Sequence, residues 1–367
     1  MTNPLVRLGQ LGQSPWYDYI TRELVASGRL AELIRDDGLL GMTSNPSIFE
    51  KAVASSDDYD ADILWHSGAG LDPAAVFESL AVADVQAACD VFRPVYDRTH
   101  GRDGLVSLEV SPTVASDTEA TIAEAERLWR ALDRPNAMIK IPGTLEGLPA
   151  VTRCVAQGIN VNVTLLFSVT RYEAVIDAFL SGLERRHAQG ERLDRVASVA
   201  SFFVSRVDTR IDAELGARQA PDELRGKAAV ANAALAYAAF ERSLKTARWI
   251  TLKEAGATPQ RPLWASTSTK DPRYPDVYYV ESLIGASTVN TLPPDTFDAY
   301  RDHGEPKLRI AEAIATAEDR LDRIAALGID LDEVTRDLET DGVAKFAASY
   351  QSLLDRIEAK AVSLSRR

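Results

Sequence analysis

Cysteine is nearly absent from this chain. Only Cys89 and Cys154 occur in 367 residues, in segments that read as a helix and a helix end, with no paired spacing. A disulfide scaffold is thereby excluded, and a reducing cytoplasm is the compartment that fits. The four histidines, His66, His100, His187 and His303, are scattered, and none stands at ligand spacing with another histidine or a cysteine pair. No structural metal is expected. Long apolar runs are missing as well. The most continuous uncharged stretch, Cys154 to Thr170, is broken by Asn160, Asn162 and several hydroxyls, so it does not read as a membrane span. Met1 to Gln13 has no continuous apolar core and is not expected to be a signal peptide. Positive charge is in deficit, with 41 Lys and Arg against 54 Asp and Glu and a net charge of −13. A surface of that sign argues against nucleic acid or an anionic membrane as a partner. A small anionic substrate remains compatible, provided the site supplies its own local cations.

What is present is an alternation. Short β-like runs recur at 38–43, 106–110, 137–141, 160–166, 197–203, 262–266 and 286–291, and an eighth, weaker candidate precedes Ser14-Pro15-Trp16-Tyr17-Asp18. Runs of helical period separate them, for example 116–132, 168–186, 222–255 and 276–283. Strand and helix repeated in this way predict a parallel sheet with crossover helices, and eight such units close into a (β/α)₈ TIM barrel. A doubly wound open sheet is the competitor, but no glycine-rich phosphate loop of dinucleotide or Walker type follows any of the strands. After Asn290-Thr291-Leu292-Pro293 the strand signals stop. The chain therefore reads as one barrel domain over 1–367, of which about 306–367 is a helical C-terminal extension packed on the outside. The long helical stretch 222–255 suits an interface or a cover for the barrel, and an acidic surface suits a monomer or a homodimer equally.

Chemistry enters with Asn136-Ala137-Met138-Ile139-Lys140-Ile141-Pro142, an apolar run with one lysine in it. A strand alternates its side chains, so Lys140 shares a face with Met138 and Pro142 while Ile139 and Ile141 point the other way. A buried ammonium is costly without a partner, and such a lysine either pairs with a carboxylate or becomes a neutral amine, which is a nucleophile. Bringing a lysine from ~10.4 to the ~7–8 useful in catalysis is worth roughly 4 kcal/mol. The bland alternatives are a snorkelling lysine or a structural ion pair.

Neighbouring strands carry matching polar faces. Around 106–111, Val106, Leu108 and Val110 leave Ser107, Glu109 and Ser111 opposite; around 159–165, Ile159, Val161, Val163 and Leu165 leave Asn160, Asn162 and Thr164 opposite. A half-exposed strand would alternate too, but helices cover the outer faces of a parallel barrel, so these polar sets must face the interior, where they read as active site. An amine, a carboxylate and an Asn/Thr pair form the inventory of a Schiff-base enzyme. Arg206 and Lys270, near two other strand ends, are suited to gripping a phosphate, the arginine with a rigid two-pronged fork. For each, a solvated surface charge is the alternative.

These residues, in this order, resemble the transaldolase family in its longer bacterial branch. The resemblance runs from about Ser14 to Ala359 and rests on Gly41-Met42-Thr43-Ser44-Asn45-Pro46-Ser47-Ile48-Phe49, on Ser107 to Pro112, on Ile139-Lys140-Ile141-Pro142, on Gly158 to Ser168 and on Ala200 to Arg206. It implies a (β/α)₈ barrel that carries a dihydroxyacetone unit from a ketose phosphate, sedoheptulose 7-phosphate or fructose 6-phosphate, to an aldose phosphate, in the non-oxidative pentose phosphate pathway, with no cofactor. By resemblance Lys140 is the Schiff-base lysine, Glu109 and Thr164 position the catalytic water, and Asp18 transfers a proton. Asn45 and Asn162 hold substrate hydroxyls, and Ser201 and Arg206 lie on the phosphate side. Two departures stand out. The first strand reads Pro15-Trp16-Tyr17-Asp18-Tyr19 where shorter members have Asp-Thr-Gly-Asp. After the seventh strand Ser266 is followed by Thr267 and Ser268, not by Phe-Arg, which leaves the second phosphate cation open with Lys270 as candidate.

Three rivals share features of this reading. A fructose 6-phosphate aldolase-type lyase has the amine but frees dihydroxyacetone, and resembling lyases carry a tyrosine in place of Glu109. A pyridoxal phosphate enzyme also uses a lone buried lysine. A binding barrel without chemistry has no reason to bury an amine, carboxylates and an Asn/Thr pair together.

Overall fold

The computed structural model describes residues 3–366. Eight parallel strands close into a barrel in chain order: β1 (Gln13–Asp18), β2 (Gly41–Thr43), β3 (Leu105–Glu109), β4 (Ala137–Pro142), β5 (Val161–Leu166), β6 (Ser198–Phe203), β7 (Arg261–Ala265) and β8 (Thr288–Leu292). The weak eighth signal is real but displaced: β1 is not ahead of the Ser14 to Asp18 run but takes that run in. Pro15 is tolerated near the start of that strand because its carbonyl still accepts from Leu40 N at 2.9 Å while its missing N–H costs only one rung.

Each strand buries both faces, against helices outside and against the opposite wall inside, which is why the strands are apolar along nearly their whole length. The lower interior is filled by Trp16, Leu105, Met138, Val199, Leu263 and Val289. Gly41 makes room for the Trp16 indole, since a Cβ there would lie 2.4 Å from the ring. Beneath this layer Arg261 is buried with Asp103 at 2.9 Å and donates to Ser14 Oγ at 2.8 Å, closing the N-terminal end with a satisfied ion pair. The larger cavity inside the strands therefore opens at the C-terminal half of the barrel.

The segment 222–255 is not one helix. It contains a 3₁₀ turn at Asp222–Leu224 and helices Ala228–Ser243 and Ala247–Glu254. Gly226 adopts φ +65° between the turn and the first helix, and Thr246 starts the second by accepting from Trp249 N at 3.3 Å. The first of these helices covers the barrel and is itself covered by helix Ile310–Ala325 of the extension.

The rest of the extension is helix Leu331–Leu364, which runs outside the barrel across its C-terminal mouth. Arg171 and Glu339 anchor it at 3.1 Å, Ser47 and Ser349 at 2.9 Å, and Arg356 and Glu50 at 3.0 Å. Sequence periodicity identifies it as a helix but carries no information on which face of the barrel it crosses. Among the described residues no helix is long and apolar enough to cross a membrane.

Candidate active site

Parallel register places the interior polar residues in rows. Glu109 of β3 pairs with Lys140 of β4, which pairs with Asn162 of β5; one row higher Pro142 pairs with Thr164, and across the barrel Asp18 of β1 pairs with Thr43 of β2. Residues two apart on one strand share a face, so the alternation seen in the sequence becomes a wall of functional groups.

That wall encloses a cavity of about 570 Å³. Asp18, Asn45, Glu109, Lys140, Thr164, Ser201, Arg206, Ser266 and Lys270, all singled out in the sequence, line it. Asn162 does not. It is fully buried just below, donating to Ser107 Oγ at 3.0 Å and accepting from Ser201 Oγ at 2.7 Å. Both ends of its amide are engaged, and it fixes the direction of the Ser201 hydroxyl.

Lys140 Nζ lies 3.3 Å from Glu109 Oε2 and 3.4 Å from the Ser44 carbonyl. Burial raises the Glu109 carboxyl to about 7, against the opposing pull of Lys140 and with a smaller push from Asp18. Burial likewise raises Asp18 above the usual carboxylate range, while Lys140 and a 2.7 Å hydrogen bond from Thr43 Oγ1 oppose it. Thr43 is held in turn by Thr291 at 2.7 Å. Two carboxyls with raised affinity for protons thus flank one amine in a half-dry pocket, an arrangement suited to moving protons near neutral pH. Thr164 Oγ1 is buried without a hydrogen-bond partner in the protein, so its hydroxyl is available to a ligand or a water.

The outer half of the cavity is cationic. Arg206, which stacks over Phe203 at 5.2 Å, is pushed below its ordinary value by burial; Lys270 is lowered by burial and by the nearby charges of Arg206 and Lys51. Asn45 has a double place: its Oδ1 accepts from Ile48 N at 3.1 Å and caps helix Pro46–Ser55, and the residue lines the cavity.

Two expectations are corrected. Strict alternation puts Leu165 on the outer face with Val161 and Val163, but the register shifts between Val163 and Leu166 and Leu165 adopts φ 61°. The bulge turns its side chain toward the cavity, against Gly342 of the C-terminal helix. Ser111 also leaves the inner wall: β3 ends at Glu109, and Ser111 caps the following 3₁₀ turn by accepting from Thr113 N. Sequence reading did not identify Thr43 and Thr291, which orient Asp18, or Gly342, Lys345, Phe346 and Ser349, which the C-terminal helix contributes to the lining. The threonines lie on strand faces that alternation could have flagged; the helix residues carry no such signal. Among the described residues no group of three or more His, Cys, Asp or Glu converges as metal ligands would.

A transaldolase/fructose-6-phosphate aldolase family model matches residues 15–357. Curated relatives named transaldolase include one from Acidothermus cellulolyticus, 52% identical with 96% of this chain and 95% of the relative covered. Another from Thermobifida fusca is 49% identical, with 97% and 98% covered. A relative from a Nostoc species, named transaldolase 2, is 46% identical with 99% of each chain covered.

Proposed function

The chain belongs to the transaldolase/fructose-6-phosphate aldolase family, and we propose that within it this chain is a transaldolase, moving a dihydroxyacetone unit from a ketose phosphate to an aldose phosphate through a Schiff base on Lys140. The observation that carries this reading is the buried cluster of Lys140, Glu109 and Asp18 at the floor of a cavity whose outer wall is cationic.

Lys140 Nζ attacks the C2 carbonyl of fructose 6-phosphate or sedoheptulose 7-phosphate and forms a carbinolamine. Glu109, with its carboxyl raised to about 7, hands a proton to the departing hydroxyl and leaves an iminium. Thr164, whose hydroxyl has no partner in the protein, holds that water together with Glu109. Asp18 then takes the proton of the C4 hydroxyl, the C3–C4 bond breaks, and its electron pair passes into the iminium as an enamine. The aldose phosphate leaves. An acceptor aldehyde reverses these steps: the enamine carbon attacks it, Asp18 returns the proton to the new C4 hydroxyl, and the water held by Glu109 and Thr164 adds to C2, giving its proton back to Glu109, so that the carbinolamine collapses to free the new ketose and the Lys140 amine. Asn45 holds the sugar hydroxyls, and Ser201, whose hydroxyl is fixed by Asn162, lies with Arg206 and Lys270 on the side that grips the phosphate.

The relatives' shared name favours transfer over the lyase alternative, as does Glu109. Product analysis tests the choice. With fructose 6-phosphate, turnover should require erythrose 4-phosphate and yield sedoheptulose 7-phosphate; free dihydroxyacetone accumulating at the same rate without acceptor would make the chain a lyase. Borohydride reduction in the presence of fructose 6-phosphate should leave a three-carbon adduct on the peptide containing Lys140. Its absence from folded enzyme would remove the amine mechanism.

A further inference from the structure

Helix Leu331–Leu364 presents Gly342, Lys345, Phe346 and Ser349 to the cavity at spacings of three and four residues, which is one helical face. Gly342 lets that face come down onto Leu165, whose Cδ2 is 3.3 Å from where a glycine-to-alanine Cβ would stand. The helix is fixed along its length by the Arg171–Glu339, Ser47–Ser349 and Arg356–Glu50 contacts. Lys345 is thus carried to the cavity rim on an anchored element and not on a loop.

Charge along the cavity is segregated. Its lining carboxylates are Asp18 and Glu109, both beside Lys140; its other charged lining groups are Arg206, Lys270 and Lys345. Carboxylates outnumber Lys and Arg in this chain, 54 to 41, yet none lines the part of the cavity where these three cations lie. Among the described residues none of Arg206, Lys270 and Lys345 makes an ion pair, and Lys345 does not pair even with Asp341 one turn back on its own helix. Unpaired like charges around one opening repel each other, and an anion entering between them relieves that repulsion.

We propose that Lys345 is a phosphate-gripping residue of this site, so that the C-terminal helix carries part of the sugar phosphate subsite and supplies, with Lys270, the charge that no arginine after β7 provides. The inference rests on the transaldolase reading for the identity of the substrate. Its physical content is narrower: Lys345 and Arg206, which line one cavity, bind one phosphate group. A helix bolted across the opening then selects substrates with a phosphate at the end remote from the reacting carbonyl, because only these reach the amine and the cations together.

Lys345→Gln tests this in the full-length enzyme. The side chain is exposed, so the fold should survive, and a melting curve checks it. A lost charge-assisted contact predicts KM for fructose 6-phosphate and the dissociation constant of inorganic phosphate, read by calorimetry, each to rise about tenfold, with kcat falling less than twofold. Lys345→Arg should restore both. If Lys345→Gln matches the wild type in KM and in phosphate binding while Arg206→Gln weakens both, the proposal is overturned and the transaldolase reading stands. If the wild type binds phosphate in a Lys345-dependent way but transfers no carbon fragment, the subsite stands and the transaldolase reading falls. Absence of phosphate binding to an actively transferring wild type, with KM unmoved by Lys345→Gln, also overturns the proposal.

Discussion

Glu109 and Lys140 are cross-strand partners in adjacent strands, with Oε2 3.3 Å from Nζ and side chains only 6% and 9% exposed. The pair is held there by register, not by a flexible reach. Because burial raises the carboxyl to about 7, Glu109 can exchange protons near neutrality beside the amine, as the proposed mechanism asks of it. Glu109→Gln keeps the size and the acceptor but abolishes the exchange. We expect kcat to fall by roughly 10²–10⁴-fold, with a borohydride-trapped adduct forming correspondingly slowly in quenched time courses. Wild-type kcat in that variant would show that Glu109 is a counterion only.

Asp18 faces the same amine from β1, steered by Thr43 and Thr291. Asp18→Asn preserves the Thr43 hydrogen bond at Oδ1 while removing the base. Schiff base formation should continue and C3–C4 cleavage should slow by roughly 10²–10⁴-fold. Mass spectrometry after borohydride would therefore find the intact six-carbon adduct of fructose 6-phosphate on Lys140 in place of the three-carbon one. A three-carbon adduct formed at the wild-type rate contradicts the role given to Asp18.

Trp16 and Gly41 are opposed in register between β1 and β2, and the indole occupies the space a side chain at 41 would need. Gly41→Ala forces the ring or the strand to move inside a packed barrel. Overpacking of this kind costs about 1–3 kcal/mol. Denaturant unfolding should show a lower midpoint by a corresponding amount, and an unchanged midpoint would mean the ring yields freely.

Asp208, far from the amine, is buried between helix Ser205–Ala217 and its neighbours, accepting from Ala229 N at 2.7 Å and from the Tyr279 hydroxyl at 2.9 Å. Burial raises it from 3.8 to about 7, helped by Asp212 and opposed by its hydrogen bonds and by Lys227. A carboxyl whose folded value lies above its unfolded one favours folding below the unfolded value, and that advantage is lost as pH rises through the folded one. Asp208→Asn removes the cost of ionisation. It should stabilise the protein at pH 8 relative to wild type, by an amount on the order of 2–4 kcal/mol, and the gain should shrink toward pH 4. Equal melting shifts at both pH values would exclude the burial argument.

The site was largely legible in the sequence because a parallel barrel converts linear alternation into inside and outside. Ser107 and Glu109, Met138 and Lys140, and Asn162 and Thr164 all face inward, as their spacing requires. Alternation fails where the backbone leaves the strand. Leu165 is apolar and in phase with Val161 and Val163, yet the bulge that gives it φ 61° sends it to the cavity. Nothing in the residue type announces that conformation, which costs a non-glycine residue strain and persists only because its surroundings hold it. Helix 222–255 failed for a related reason: its break depends on Gly226 and Thr246 acting in context, within a stretch whose composition is helical throughout.

The sequence by itself determined the period-two strands, the amine with its carboxylate on the adjacent strand and the scarcity of cysteine, because these are local properties of spacing and residue type. Tertiary structure alone decided that Asn162 supports Ser201 from below, and that a helix more than 300 residues after β1 crosses the mouth and brings Lys345 to the cavity that Arg206 also lines. The placement of that helix arises from barrel closure and from long-range anchors such as Ser47 to Ser349. No local pattern encodes it, since a helix carries the same periodicity whichever surface it finally covers.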